Sequence, residues 1–467
     1  MRFAWSPHGV GRLSAVFLVL TLAAGAGNTR ASGGPPGYVE TTLPNGLEVS
    51  ILPQPDDPLV ATQVWYHAGA ADEDAGSRGL AHLFEHLMFG ETARHGKRDY
   101  WEWHHRFGGD NNAFTTPDET VYVSEVPPAA SAAVLDFEAD RMTGLLLTQE
   151  NLDNEKRIVT EELRLAAENS PESRVMVAAQ KALLGKHPYA FDPTGSKDDV
   201  AAATLESCRT FYRSHYRPNN AHLVVVGPVD PVATLSAVER AFGPIPSGGT
   251  APRDVPPLLG WDFPAEVGLR EDLPPVKIAV LGFPLPPASS EDGAVLEVLT
   301  QLLDRGTVNP FREELVVRRR KAIDAGSAVL ALRRGGAVIF YSASLPYRRK
   351  ATAFRLMEET RERLSSLDWL TEERVASAKR ALRREEAVKT FYAAVKADAV
   401  GRARWWEGDA GRAFDRGARI EAVTRDQVAA AWRRYVAEPK AVRLFVRPEH
   451  VPLYARLFGW LYPLLVR

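Results

Sequence analysis

Cysteine is almost missing from this chain. Among 467 residues there is one, Cys208, so no intramolecular disulfide can form. In the run LESCRTFY it reads as a small packed residue of a helix rather than a nucleophile. An excess of charge of either sign is also lacking. The 57 basic and 59 acidic residues leave a net charge of −2, which removes the electrostatic case for nucleic acid or an anionic membrane surface as a partner. The apolar run at residues 14–24 is too short to span a bilayer. What remains, 45% hydrophobic and 25% charged residues, is the composition of a water-soluble globular protein. Its length exceeds that of one ordinary domain.

The short apolar run sits in an export signal over residues 1–33. Arg2 and Arg12 give a positive start, residues 14–24 the apolar centre, and Ala24-Gly25-Ala26 a small-residue cleavage site. Left uncleaved, the same segment would be an anchor. Export without disulfides fits a bacterial periplasm at least as well as the cell exterior.

The chain is organised around residues 79–92, GLAHLFEHLMFGET, which contain His82-Leu83-Phe84-Glu85-His86. In a helix, His82 and His86 are one turn apart and leave from the same face. Two imidazoles so placed can bind one Zn²⁺, and Glu85 beside them can take a proton from an attacking water. Leu83, Phe84, Leu87, Met88 and Phe89 predict a helix buried nearly all round. Polar groups on such a helix need partners, and three on one turn suggest a metal.

A third ligand has to come from elsewhere, since catalytic zinc usually takes three protein ligands and keeps one open position. Residues 151–167 form the candidate helix. Glu155, Ile158, Val159, Glu162, Leu165 and Ala166 fall on one mainly apolar stripe, whereas Arg157, Glu161, Arg164 and Glu168 fall on a charged one. A carboxylate on a core-facing stripe needs a cation. Glu162 is therefore the expected ligand, with Glu155 two turns earlier orienting a histidine or holding a charge nearby. His104 and His105 are adjacent, point to different faces, and are not expected to be ligands.

H-x-x-E-H is the zincin motif in reverse order. With its flanks it resembles the M16 (pitrilysin-like) metallopeptidases, which include the mitochondrial processing peptidases and the core proteins of the bc1 complex. The resemblance continues through Gly109-Asp110-Asn111-Asn112-Ala113-Phe114-Thr115, through Glu155 and Glu162 at the family's separation, and through the HPY…YRPNNA-LVVVG block of residues 187–227. It implies an edge strand beside the zinc, on which Asn112, Ala113 and Phe114 would contact a polypeptide substrate held as an added strand. It also implies an α+β fold of two homologous domains, each an antiparallel-rich sheet packed with helices, closing as a clamshell around a cavity.

The pattern of the second half supports a repeat. Residues 37–243 read as the zinc-bearing domain, opening with two strands joined at Asn45-Gly46 and ending with a helix over 232–242. Residues 244–261 are a Pro/Gly linker. In residues 262–448 a strand over 276–281, a loop over 283–290 and an apolar helix over 293–303 stand where the metal helix stood, with Glu297 but no histidine. Further helices over 351–406 and 420–435 and a strand over 441–446 complete the copy. Arg318-Arg319-Arg320-Lys321 reads as a solvated helix end, with an acidic partner surface as the alternative. Residues 449–467 form an aromatic, apolar tail, suited to packing or to a partner or membrane contact.

The expectation is an exported, periplasmic endopeptidase with one Zn²⁺ on His82, His86 and Glu162, and Glu85 as general base. The rival classes are a non-catalytic scaffold of the core-protein kind and a metal-storage module, in which Glu85 would have no task. One departure from the family bears on partners. Members that act alone carry, in the second domain, an arginine and a tyrosine seven residues later that stabilise the oxyanion, worth of the order of 3 kcal/mol for one good donor. Here those positions hold Val316 or Val317 and Ile323 or Asp324, depending on a one-residue shift. A homologous partner subunit supplying the Arg/Tyr pair is therefore expected.

Overall fold

The computed structural model describes residues 34–451, apart from 75, 170, 249–253, 273, 306–308 and 390. The expected export signal over residues 1–33 and most of the apolar tail lie outside the described residues.

The first half runs β1 (Val39–Thr42), β2 (Glu48–Pro53), β3 (Val60–Tyr66), α1 (Leu80–Leu87), α2 (Asp99–Phe107), β4 (Asp110–Thr115) and β5 (Thr120–Val126). It continues with α3 (Ser131–Gly144), α4 (Gln149–Asn169), α5 (Pro171–Leu184), α6 (Lys197–Ala202), α7 (Leu205–His215), β6 (Ala221–Gly227) and α8 (Pro231–Phe242). The Asn45-Gly46 turn forms because Gly46 takes a φ of +90°. Asn45 Nδ2 then donates to the Phe242 and Ile245 carbonyls, tying the first hairpin to the end of α8.

The second half runs β7 (Glu266–Glu271), β8 (Lys277–Leu285), α9 (Gly293–Thr300), a single turn α10 (Pro310–Arg312), β9 (Asp324–Leu332) and β10 (Gly335–Ser344). It ends with α11 (Lys350–Leu364), α12 (Glu372–Lys389), α13 (Ala393–Glu407), α14 (Arg412–Ala422), α15 (Arg425–Trp432) and β11 (Val442–Pro448). The expected loop over 283–290 is shorter than read, because β8 continues through Pro284 to Leu285, paired with β10. Strands β7, β9 and β10 were not anticipated.

The repeat is visible in the topology. The first sheet has the order β1-β2-β6-β3-β5-β4 and the second β7-β11-β8-β10-β9. Dropping β1, the two orders coincide strand for strand. Each has one parallel pair at the same place, β2 with β6 and β7 with β11, and is antiparallel elsewhere. α9 follows β8 as α1 follows β3, so a histidine-free helix stands in the second half where the helix carrying His82 and His86 stands in the first. The fold is two-domain α+β, as expected.

Each sheet packs its inner face on its own helices, giving one core around Phe84, Tyr122, Phe211 and Tyr216 and another around Phe283, Phe311, Phe340 and Trp432. The outer faces are covered by exchange. α13, from the second half, lays Ala393, Ala397 and Val400 on Leu52, Ala61, Trp65, Val121, Val224 and Val226 of the first sheet. α5, from the first half, lays Val175, Ala179 and Leu183 on Val267, Leu269, Ile278, Val280, Leu444 and Val446 of the second. Coverage on both faces is why β3 and β6 are buried along their whole length. Charged contacts fix the loan: Arg404 donates from two nitrogens to the Glu48 carboxylate, and Lys396 Nζ lies 2.9 Å from Asp57. Among the described residues, no helix is long and apolar enough to cross a membrane.

Candidate metal centre

Helix α1, which carries His82, Glu85 and His86, begins without a capping side chain of its own, since Gly79 is its N-cap and has φ +79°. Glu73, buried in the preceding acidic loop, supplies what is missing. Its two carboxylate oxygens accept from the Gly79 and Ala81 N–H groups at 2.8 and 2.7 Å. Burial pushes the Glu73 carboxyl up to about 8, against the lowering effect of those two bonds. From below, Tyr122 OH on β5 donates to the Phe84 carbonyl at 3.0 Å. The helix is not buried all round. Leu83, Phe84, Leu87 and Met88 are covered, while His82, Glu85 and His86 share a half-open face.

On that face the structure brings together His82, His86 and Glu162. One donor atom from each lies within 4.8 Å of the others. His86 Nε2 is 3.3 Å and His82 Nε2 4.0 Å from Glu162 Oε2. His86 turns its other nitrogen, Nδ1, to Glu155 Oε2 at 3.8 Å, too long for a hydrogen bond but the right side for an orienting carboxylate. Glu155 is itself held by Lys97 Nζ at 3.3 Å and Asn154 Nδ2 at 3.1 Å. Two nitrogens and one carboxylate oxygen are a donor set for zinc. Burial lowers the His82 pKa to about 4, helped by His86, so the imidazole is held in the neutral form that binds a metal. Its Nδ1 is buried with no hydrogen-bond partner among the described residues.

Glu162 reaches this cluster from a different face than the one read from periodicity. Ile158, Glu162 and Leu165 are exposed, and the stripe of α4 that enters the core is Leu152, Val159 and Leu163, with Glu155 at its margin. Periodicity shows which residues share a face but not which face the rest of the fold covers. Glu161 points away, paired with Arg164 at 2.7 Å.

Glu85, between the histidines, accepts a 2.6 Å hydrogen bond at Oε2 from Thr115 Oγ1 on β4. Burial raises its pKa above the ordinary carboxylate value, partly offset by Thr115 and His86. Strand β4 pairs only with β5, so its other side is a sheet edge. The Thr116 N–H bonds to the Glu119 carbonyl, which by alternation turns the backbone groups of Asn111, Ala113 and Thr115 outward. The Ala113 N–H is met at 2.9 Å by the neighbouring Asn112 Oδ1. Side chains of the expected substrate segment diverge. Asn112 is exposed, Ala113 packs against the first core, and Phe114 meets Trp65 edge-on on the outer face. Thr115 and Glu73 were missed by sequence reasoning. The signal for Thr115 was its alternation with Ala113, which puts both on the helix side of the sheet.

His104 is buried, with Nδ1 on the Tyr100 carbonyl and Nε2 on Ser124, and His105 is exposed, so neither reaches the cluster. Cys208 is buried, and burial pushes its thiol up to about 11, the condition of an inert packed residue. In the second half, Glu297 on α9 is occupied by Arg416. Val316 packs on the second core, Val317 is exposed, and Asp324 accepts from Arg312 Nε and Tyr341 OH, both at 3.3 Å. Of the basic run, Arg318 is exposed and pairs with Glu313, and Arg319 pairs with Glu359.

Comparison with known proteins adds relatives to this geometry. The profile described as Insulinase (Peptidase family M16) matches residues 49–190, and that described as Peptidase M16 inactive domain matches residues 202–382. The zinc protease PqqE of Helicobacter pylori is 28% identical over 343 residues, covering 72% of this chain and 76% of the relative. An uncharacterized zinc protease of Mycobacterium leprae is 28% identical over 350 residues, 74% of this chain and 78% of the relative. Among solved structures, a protease from Helicobacter pylori superposes with a TM-score of 0.78 at 23% identity, over 88% of this chain and 99% of that one. A putative M16-like peptidase from Alicyclobacillus acidocaldarius gives 0.71 at 19% identity, over 91% and 99%. At those identities the two structures speak for the fold alone.

Proposed function

The chain belongs to the M16 peptidase family, and from that premise we propose that it is an exported, periplasmic zinc endopeptidase acting on polypeptides. The observation that carries the reading is the convergence of His82, His86 and Glu162 on one point, with Glu85 on the same helix face.

His82, His86 and Glu162 would hold the ion, and Glu155 would keep the His86 ring turned towards it. Zinc, when bound, supplies Lewis acidity to the attacking water and the scissile carbonyl. Glu85 takes the proton of that water on its carboxylate and returns it to the leaving amine nitrogen. In the metal-free chain burial raises the Glu85 pKa, while a cation bound beside it would draw the pKa back down. The substrate lies extended along the open side of β4, where Asn111, Ala113 and Thr115 offer backbone groups. The Asn112 side chain would then yield the Ala113 N–H to it.

Support for a paired enzyme comes from the second half. At the positions where the family keeps its arginine and tyrosine, Val316 or Val317 has no side-chain donor, and Ile323 has none either while Asp324 would repel an oxyanion. A homologous subunit without the metal motif supplies the missing donors in this reading.

Metal analysis and hydrolysis of a labelled unfolded protein test it. Wild type and Glu85→Gln should both carry about one zinc per chain, and only wild type should cleave. Normal turnover by Glu85→Gln would refute the mechanism. The chain alone should cleave poorly and regain activity with its partner; full activity from a monodisperse preparation of this chain would remove the partner. A chain that takes no zinc and cleaves nothing would be a scaffold, the reading that the inactive-domain match over residues 202–382 keeps in view.

A further inference from the structure

The residue that aims Glu85 is not on the metal helix. We propose that Thr115 is a positioning residue for hydrolysis: its hydroxyl holds the Glu85 carboxylate in the orientation that receives the proton. The inference rests on the reading of Glu85 as general base.

Thr115 Oγ1 donates to Glu85 Oε2 at 2.6 Å, a length typical of a charge-assisted bond. With Oε2 engaged, the carboxylate plane is fixed and Oε1 is left to take the proton. A glutamate has three side-chain torsions, and a group half open to solvent on a helix would otherwise sample several of them. The donor is suited to this work because its own backbone cannot drift. Thr115 is the last residue of β4, and the tip that follows is held from several sides. The Thr116 and Pro117 carbonyls accept from Ala70 and Ala71 N–H at 3.2 and 2.9 Å. The Asp118 carboxylate, 3% exposed, accepts from Tyr189 OH at 2.6 Å and from the Arg333 backbone N–H at 3.2 Å. Its carbonyl accepts from Trp405 Nε1 at 3.2 Å, and Glu119 Oε2 from Trp406 Nε1 at 3.1 Å.

Arg333 is in the β9–β10 turn and the two tryptophans end α13, so the half without metal ligands anchors the strand that aims the base. Thr115 also stands on the open edge of β4. A peptide paired with that edge lies beside the same residue whose side chain grips Glu85, so one strand registers both the substrate and the base against it.

The test uses the chain in whichever form cleaves, alone or with its partner, and a labelled unfolded protein as substrate. Thr115→Val keeps the shape and removes the hydroxyl; Thr115→Ser keeps the hydroxyl. Thr115→Val should lower kcat on the order of ten- to a hundredfold, the worth of one hydrogen bond to a charged group, with KM and zinc content unchanged. Thr115→Ser should recover most of the loss. Wild-type kcat in Thr115→Val, an equal loss in both variants, or a loss accompanied by missing zinc would overturn the positioning role. An active Glu85→Gln would instead bring down the reading of Glu85. An inactive Glu85→Gln with a fully active Thr115→Val would remove Thr115 alone.

Discussion

Gly401 of α13 lies against the indole of Trp65 on β3 so closely that a Cβ on it would land on the ring atoms Cε2 and Nε1. Trp65 is fully buried and its Nε1 donates to Gln63 Oε1 at 2.9 Å, so the ring has little freedom to move aside. Mid-helix glycine ordinarily costs about 1 kcal/mol relative to alanine. Here the exchange of helices requires it.

Gly401→Ala should therefore destabilise the protein by roughly 1–3 kcal/mol, the cost of overpacking, despite the better helix propensity of alanine. Urea unfolding of the variant reads this directly. A gain in midpoint would mean that α13 sits further from the sheet than described.

Glu162→Gln should lower zinc occupancy severely, while Glu161→Gln should leave it unchanged, because Glu161 is paired with Arg164 away from the histidines. Glu155→Gln should weaken zinc about 10–100-fold without abolishing binding, as loss of a ligand-orienting carboxylate does. Competition with a chelator of known affinity measures all three. Occupancy lost in Glu161→Gln and kept in Glu162→Gln would invert the assignment.

Glu119 predicts a pH dependence. Burial, reinforced by Asp118 and opposed by Arg402, pushes its carboxyl up from 4.5 to about 7. The folded state thus holds the proton longer than the unfolded one. Its contribution to stability is complete below about pH 4.5 and is lost as pH rises through about 7, a change on the order of 3 kcal/mol. Glu119→Gln cannot ionise and should lose less stability between pH 5 and pH 8 than wild type. Parallel stability–pH curves for the two proteins would show that Glu119 is ionised in the fold.

The site was legible where its geometry is local. His82, Glu85 and His86 follow from one turn of helix, whose spacing is fixed by backbone hydrogen bonds. Glu162 was reached by a stripe argument that misjudged the covered side of α4, since Ile158 and Leu165 face outward. Thr115 escaped because alternation with Ala113 tells which side of the sheet it faces but not that it meets Glu85, 30 residues away on a helix. The same holds at larger scale. In the structure β3 and β6 are covered on both faces, yet nothing in VATQVWY or AHLVVVG says that the cover is α13, and β9 and β10 complete the order of a repeat whose sequence pattern does not reveal them.

The exchange of helices also sets a schedule for synthesis. The first sheet is complete once β6 ends at residue 227, but α13 starts at residue 393, 166 residues later (393 − 227). At about 5–20 residues per second, the outer face carrying Trp65, Val121 and Val224 waits roughly 8–33 s for its cover. A chain in that interval, whether at the ribosome or leaving an export channel, has an apolar face without its cover and is a natural client for a holdase chaperone. The reverse loan imposes no such wait on the second sheet, because α5 is already made when β7, β8 and β11 emerge.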